Sequence, residues 1–160
     1  MKQKHLIRGV ILILFATYCT LLLYILFLDA RTSHLTYFEH IKRSINLLPF
    51  KTIAEYISRI SENSINLSSF IKNIFGNSIL FLPMGFFLPC ISKRIIKMKN
   101  IIFINIIIIV GVELIQLFST LGSFDIDDIL LNLIGSIIGY SITKMYPINI
   151  VLKKMKLVSE

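Results

Sequence analysis

The sequence predicts an all-α membrane protein, with four transmembrane helices and an extracytoplasmic first loop that contains one or two interfacial helices. Three observations carry this reading. Apolar residues fill 55% of the 160 positions against 16% charged, 32 positions are isoleucine, and mean hydropathy is +0.77. A compact soluble packing of such a chain would leave large apolar surfaces in water. The apolar residues also gather in four runs close to the ~20 residues that a helix needs to cross a bilayer core of about 30 Å. No run alternates as a barrel strand does, and only helices and closed barrels satisfy their backbone groups in lipid. The same composition excludes intrinsic disorder, and two cysteines exclude a disulfide scaffold. The length allows one domain over residues 1–160.

The first span, Gly9 to Leu28, carries no charge. It is too long for the h-region of a signal peptide, and Leu28-Asp29-Ala30 is a poor small-x-small site, so the expectation is an uncleaved anchor. Residues 29–73 then form an outer loop too long to be a plain turn. Leu35, Phe38, Ile41 and Ile45 recur at helical spacing, as do Ile53, Tyr56, Ile57 and Ile60, which fits helices lying in the membrane interface. Pro49 breaks the run between them, and Asn63 to Ser69 reads as an irregular polar stretch.

The second span, Ile74 to Ile91, contains Asn77, Pro83, Gly85 and Pro89. The third, Ile101 to Phe118, ends with Glu113 and Gln116. The fourth, Ile126 to Tyr146, follows Asp125 and holds Asp127, Asp128, Asn132, Gly135 and Gly139. Eleven basic residues fall in the N-terminal tail, the connection between spans two and three, and the C-terminal tail; the opposite side has six, spread along the long loop. The positive-inside rule then places both termini in the cytoplasm. The net charge of +8 reads as topology plus attraction to anionic lipid, with no nucleic-acid partner. Cys19 and Cys90 read as apolar packing residues, His5, His34 and His40 as solvated, and Asn105 as packing or interfacial.

With this topology Asn77, Glu113, Gln116, Asp125, Asp128 and Asn132 all lie toward the outer leaflet, Glu113 and Asn132 at a similar depth of roughly 10 Å. Asp125, Asp128, Asn132, Gly135 and Gly139 step by three and four and form one helical stripe. The glycines admit a neighbouring helix, so the stripe faces the bundle. A carboxylate at membrane depth costs on the order of 2–4 kcal/mol, which makes each a functional candidate. Structural readings stand beside these: the three aspartates as caps and dipole partners of span four, Gln116 and Asn132 as interhelical hydrogen bonders, and Asn77 as a cap of span two. The loop is expected to roof the cluster, with Asn46 and Phe50 above it, and Glu113 is expected to lie beside Asn132.

Four blocks, Asn46-Leu47-Leu48-Pro49-Phe50, Asn77-Ser78-Ile79-Leu80-Phe81-Leu82-Pro83-Met84-Gly85, Glu113-Leu114-Ile115-Gln116, and Asp125-Ile126-Asp127-Asp128 with Asn132 and Gly135, resemble the VanZ-like family in order and spacing. One departure stands out. Relatives often carry an arginine between the loop glycine and the Ser-Phe-Asp run, whereas here Ser123 follows Gly122 directly. The resemblance implies a small multi-pass protein of the bacterial cytoplasmic membrane, in a family whose founding member is associated with low-level resistance to teicoplanin, a lipid-bearing glycopeptide.

Two classes of function follow. One is a binding protein whose outer-leaflet pocket, made by Asn46, Asn77, Glu113, Gln116, Asp125, Asp128 and Asn132, takes a membrane lipid head group, a lipid-linked cell-wall precursor or the lipoglycopeptide. The alternative is a membrane-embedded enzyme acting on a phosphorylated lipid or lipid-linked glycan. In that case Glu113, Asp125 and Asp128 are the candidate catalytic residues and the candidate ligands of a divalent cation such as Mg²⁺, since hard cations take carboxylate oxygens. No cofactor is required by the binding reading.

Overall fold

The computed structural model describes residues 2–28, 36–62, 67–92, 97–155 and 157. Its elements are helices α1 (Lys2–Leu28), α2 (Tyr37–Arg43), α3 (Lys51–Ser61), α4 (Leu67–Ile91), α5 (Met98–Phe118), α6 (Ile126–Lys144) and α7 (Tyr146–Lys154), with two-residue strands β1 (Ile45–Asn46) and β2 (Phe124–Asp125). Four helices are long and apolar enough to cross a membrane, over His5–Phe27, Asn73–Ile91, Met98–Phe118 and Ile126–Lys144. They match the four expected spans. His34, Leu35, Arg31, Lys93, Arg94, Lys156 and the Asp29-Ala30 pair lie outside the described residues.

The bundle is organised around α4 and α6, which share its most extensive interface. Glycine explains how they approach. A Cβ at Gly135 would run into the Ser78 carbonyl of α4, one at Gly139 into the Leu82 carbonyl, and one at Gly85 into the Ser136 carbonyl of α6. The packing role expected of Gly135 and Gly139 is therefore met by backbone-to-backbone contact. α5 packs on the other side of α6 through a stripe of Ile101, Asn105, Ile109, Glu113 and Leu117 at four-residue spacing. α1 joins α4 through Phe15, Tyr18 and Phe87, whose rings lie 5.9–6.3 Å apart. Pro83 and Pro89 sit inside α4 without ending it. Near Pro83, where the helical ladder lacks a donor, the Tyr18 hydroxyl donates to the Leu80 carbonyl at 2.7 Å.

Several boundaries differ from expectation. α4 begins at Leu67, so Leu67 to Ser69 is helical and not irregular; Tyr56 of α3 and Phe70 of α4 lie 6.2 Å apart and tie this extension to the loop. Ile45 is in a strand and not on the helical face of α2. α6 stops at Lys144, and a further helix unforeseen in the sequence, α7, starts beside Pro147, whose fixed φ suits a first helical turn. Leu152 and Leu157 bury it against Cys90, Ile7, Ile11 and Phe86. Cys19 and Cys90 are free thiols, Cys90 buried, in keeping with packing roles.

After α5 the chain turns through a Schellman motif: the Leu121 amide donates to the Gln116 carbonyl (3.1 Å) and the Thr120 amide to the Leu117 carbonyl (3.2 Å). Thr120 occupies the left-handed position of that motif, at φ 61°. The turn delivers β2, which pairs in parallel with β1 so that Ile45 faces Phe124 and Asn46 faces Asp125. The long loop thereby reaches the start of α6.

Candidate functional site

The site is built from the loop segment 44–53 and the segment 122–128. Asp125 caps α6, its Oδ1 accepting the Asp127 amide at 2.8 Å. The same oxygen accepts from Asn46 Nδ2 at 3.1 Å, and Oδ2 accepts from the Thr52 hydroxyl. Asn46 also folds its own loop, since its Oδ1 accepts the Leu48 amide at 3.2 Å in an Asx turn. Its Nδ2 further contacts the Thr52 hydroxyl at 3.0 Å.

Asp127 does the corresponding work for α3. That helix starts from Phe50, which has no capping side chain and sits in the left-handed region at φ 64°. The Phe50 amide donates to Asp127 Oδ1 (2.5 Å) and the Ile53 amide to Asp127 Oδ2 (3.2 Å). A carboxylate from α6 thus caps α3 from 74 to 77 residues away, and its charge complements the positive end of the α3 dipole. Asp127 is 0% exposed. The capping of α6 weighed for it from the sequence falls to Asp125, and its tie to the loop is not legible in its own stretch of the sequence. Phe50 at a helix start, with no Ser, Thr, Asp or Asn beside it, was the available signal that an outside acceptor is needed.

His40 corrects another expectation. It is buried and not solvated: Nε2 lies 3.0 Å from the Gly122 carbonyl, which can only accept, so Nε2 carries the hydrogen, and Nδ1 lies 3.3 Å from the Ser44 hydroxyl. The Phe124 amide donates to the Ser44 carbonyl at 2.8 Å. His40, Asn46, Thr52, Asp125 and Asp127 together form a clasp that ties the loop to α6. His5 is exposed, as expected.

Below the clasp the remaining candidates divide. Glu113 is buried and accepts the Asp125 amide on Oε2 at 3.3 Å. Asp128 accepts from Asn77 Nδ2, joining α6 to α4. Asn132 is buried on the same α6 face, but its Oδ1 has no partner among the described residues, so the expected pairing with Glu113 is not made through that atom. Gln116 leaves the cluster: its Nε2 donates to the Leu26 carbonyl at 3.0 Å and holds the end of α1, the interhelical role weighed for it. Asn105 is buried, with Nδ2 on the Ile101 carbonyl at 2.8 Å.

Asn46, Asn77, Glu113, Asp125 and Asp128 are therefore brought together at one end of the bundle. Their arrangement does not fit a divalent cation. Glu113 Oε2, both Asp125 oxygens, and Asp128 Oδ1 already accept protein donors, and among the described residues no three His, Cys, Asp or Glu side chains are placed to share an ion. What stays open is a cavity of about 190 Å³ beside the clasp. Arg43, Ser44, Asn46, Lys51, Thr52, Glu55, Ser123 and Asp125 contribute to its walls. Leu47, Leu48 and Phe50 stand exposed next to it.

Four membrane-crossing helices with a loop clasped to one end define a multi-pass membrane protein of compact type. The family model described as VanZ/LLP1 matches residues 15–148, and the chain belongs to that family. It is similar to Protein VanZ of Enterococcus faecium, with 26% identity over 136 residues, 85% of this chain and 72% of the relative. No solved structure matches.

Proposed function

We propose that this protein contributes to resistance against teicoplanin-type glycopeptides by binding a polar head group at the outer leaflet, in the cavity beside the clasp. The ligand class is a lipid head group, a lipid-linked cell-wall precursor or the lipoglycopeptide. In this reading the clasp is extracytoplasmic and both termini are cytoplasmic, as the distribution of basic residues favours.

The observation that carries the reading is the cavity itself. Arg43 and Lys51 offer charge to a phosphate or carboxylate, and Ser44 and Ser123 offer hydroxyls. Lys51 also lies 3.9 Å from Glu55, an exposed pair that a ligand can displace at little cost. Exposed Leu47, Leu48 and Phe50 adjoin it, so an acyl chain can rest on apolar residues while its head enters the cavity. Arg43 and Ser123 line the same cavity, which sets an arginine beside the Ser-Phe-Asp run. Glu113, Asp125 and Asp128 each accept a protein donor that ties them to the fold, while the cavity beside them presents cationic and hydroxyl groups suited to binding.

Changing Arg43→Gln and Lys51→Gln together is expected to weaken head-group binding by about tenfold or more, at about 1.5–3 kcal/mol per charge-assisted bond. Teicoplanin susceptibility should return to that of cells lacking the protein while its membrane abundance is unchanged. Unaltered resistance in this variant would remove the cavity from the function. The orientation has its own check. An impermeant thiol reagent on whole cells is expected to label Ser123→Cys and not Lys97→Cys in a cysteine-free background, and the reverse pattern would invert the topology.

A further inference from the structure

A second cavity, of about 320 Å³, lies at the other end of the bundle, where α6 gives way to α7. Its walls are Lys144, Tyr146, Asn149, Ile150 and Lys153. We propose that it is a binding site for the phosphate head group of an anionic membrane lipid, in the leaflet opposite the clasp.

Charge makes the first argument. Among the described residues two lysines line the cavity and no carboxylate does, and neither lysine is in an ion pair. Lys144 is held in place: its Nζ lies 5.2 Å from the centre of the Tyr140 ring, and it ends α6, where the helix dipole favours a cation. Tyr146, Asn149, Ile150 and Lys153 recur at three- and four-residue spacing and so share one face of α7.

Position makes the second argument, and it selects a lipid over a soluble anion. α6 covers 19 residues, about 28 Å at 1.5 Å per residue, so the cavity sits roughly one bilayer core from Asp125. Leu152 anchors α7 on the bundle, while Met145, Tyr146, Ile150 and Val151 remain exposed around the lysines. An apolar surface beside paired cations at the membrane boundary is the arrangement that holds an acyl chain and an anionic head together.

The test uses the full-length protein in detergent, with lipid retention counted by native mass spectrometry. Phosphatidylglycerol is expected to be retained about tenfold or more over phosphatidylcholine, as two lysines near a lipid surface allow. Lys144→Gln with Lys153→Gln should lose most of that preference, whereas Lys144→Arg with Lys153→Arg should keep it, circular dichroism confirming the helical content of each. Lys97→Gln with Lys99→Gln removes two exposed lysines from the same end of the bundle and should leave the preference intact. An equal loss in that control would mean diffuse attraction and overturn the site. Displacement of phosphatidylglycerol by millimolar inorganic phosphate would make this a soluble-anion site and overturn the lipid assignment. Because the readout is the part of the preference lost with Lys144 and Lys153 alone, it stands whether or not Arg43 and Lys51 bind a ligand.

Discussion

Asp127→Ala is expected to release the long loop from the bundle and to lower stability by about 3 kcal/mol. The change deletes both acceptors of the Phe50 and Ile53 amides. Hydrogen bonds to a charged group contribute about 1.5–3 kcal/mol, and donors left unsatisfied where water is scarce add to the loss. The left-handed Phe50 backbone, costing of the order of 1 kcal/mol, loses the contact that holds it. Thermal unfolding in detergent should show the loss, and a cysteine placed at Thr52 should become reactive at a lower temperature than in the parent. Asp127→Asn should fall between the two, since one carbonyl oxygen and no charge replace two charged acceptors. A loop equally protected in Asp127→Ala would show that β1–β2 pairing and Asp125 suffice to hold it.

Gly135→Leu or Gly139→Leu is expected to part α4 from α6. The first new carbon meets backbone carbonyls of Ser78 or Leu82, which cannot rotate aside as a side-chain tip can. Overpacking in a rigid core costs about 1–3 kcal/mol, and here the helices must also separate, so a loss at or above that range is expected. Gly111→Ala is the contrasting case. Nothing lies within 4 Å of its added Cβ, so the better helix propensity of alanine should make it neutral or stabilising by up to about 1 kcal/mol. Unfolding midpoints of the three variants in one detergent compare them directly. Equal midpoints for Gly111→Ala and Gly135→Leu would contradict the close α4–α6 approach.

Loss of the clasp and loss of the α4–α6 contact should also affect function differently. Asp127→Ala leaves the membrane helices packed but frees Arg43 and Lys51 from their positions opposite Ser123. On the proposed function it should therefore reduce resistance by more than its loss of stability reduces the amount of protein. The glycine variants should instead reduce the amount of protein in the membrane, because the bundle itself is weakened.

The sequence by itself determined the four spans, the inward stripe of Asp125, Asp128, Asn132, Gly135 and Gly139, and the gathering of carboxyl groups at one end. The spans and the stripe are local properties, since apolar length and helical period depend only on neighbours a few residues away, and the gathering follows from the order in which the spans cross. The tertiary structure alone decided which partner each polar group takes. Asp127 appeared suited to its own helix, yet it caps α3; Gln116 appeared suited to the carboxyl cluster, yet it holds the end of α1; His40 appeared solvated, yet it is buried on Gly122. Each of those bonds joins residues 77–90 positions apart, and a hydrogen bond requires its partners within about 3 Å, so the path of the whole loop must be known before any can be assigned. The start of α7 was marked by Pro147, but its docking depended on Leu152 meeting Ile7, Ile11 and Cys90, residues from opposite parts of the chain that only the folded bundle brings together.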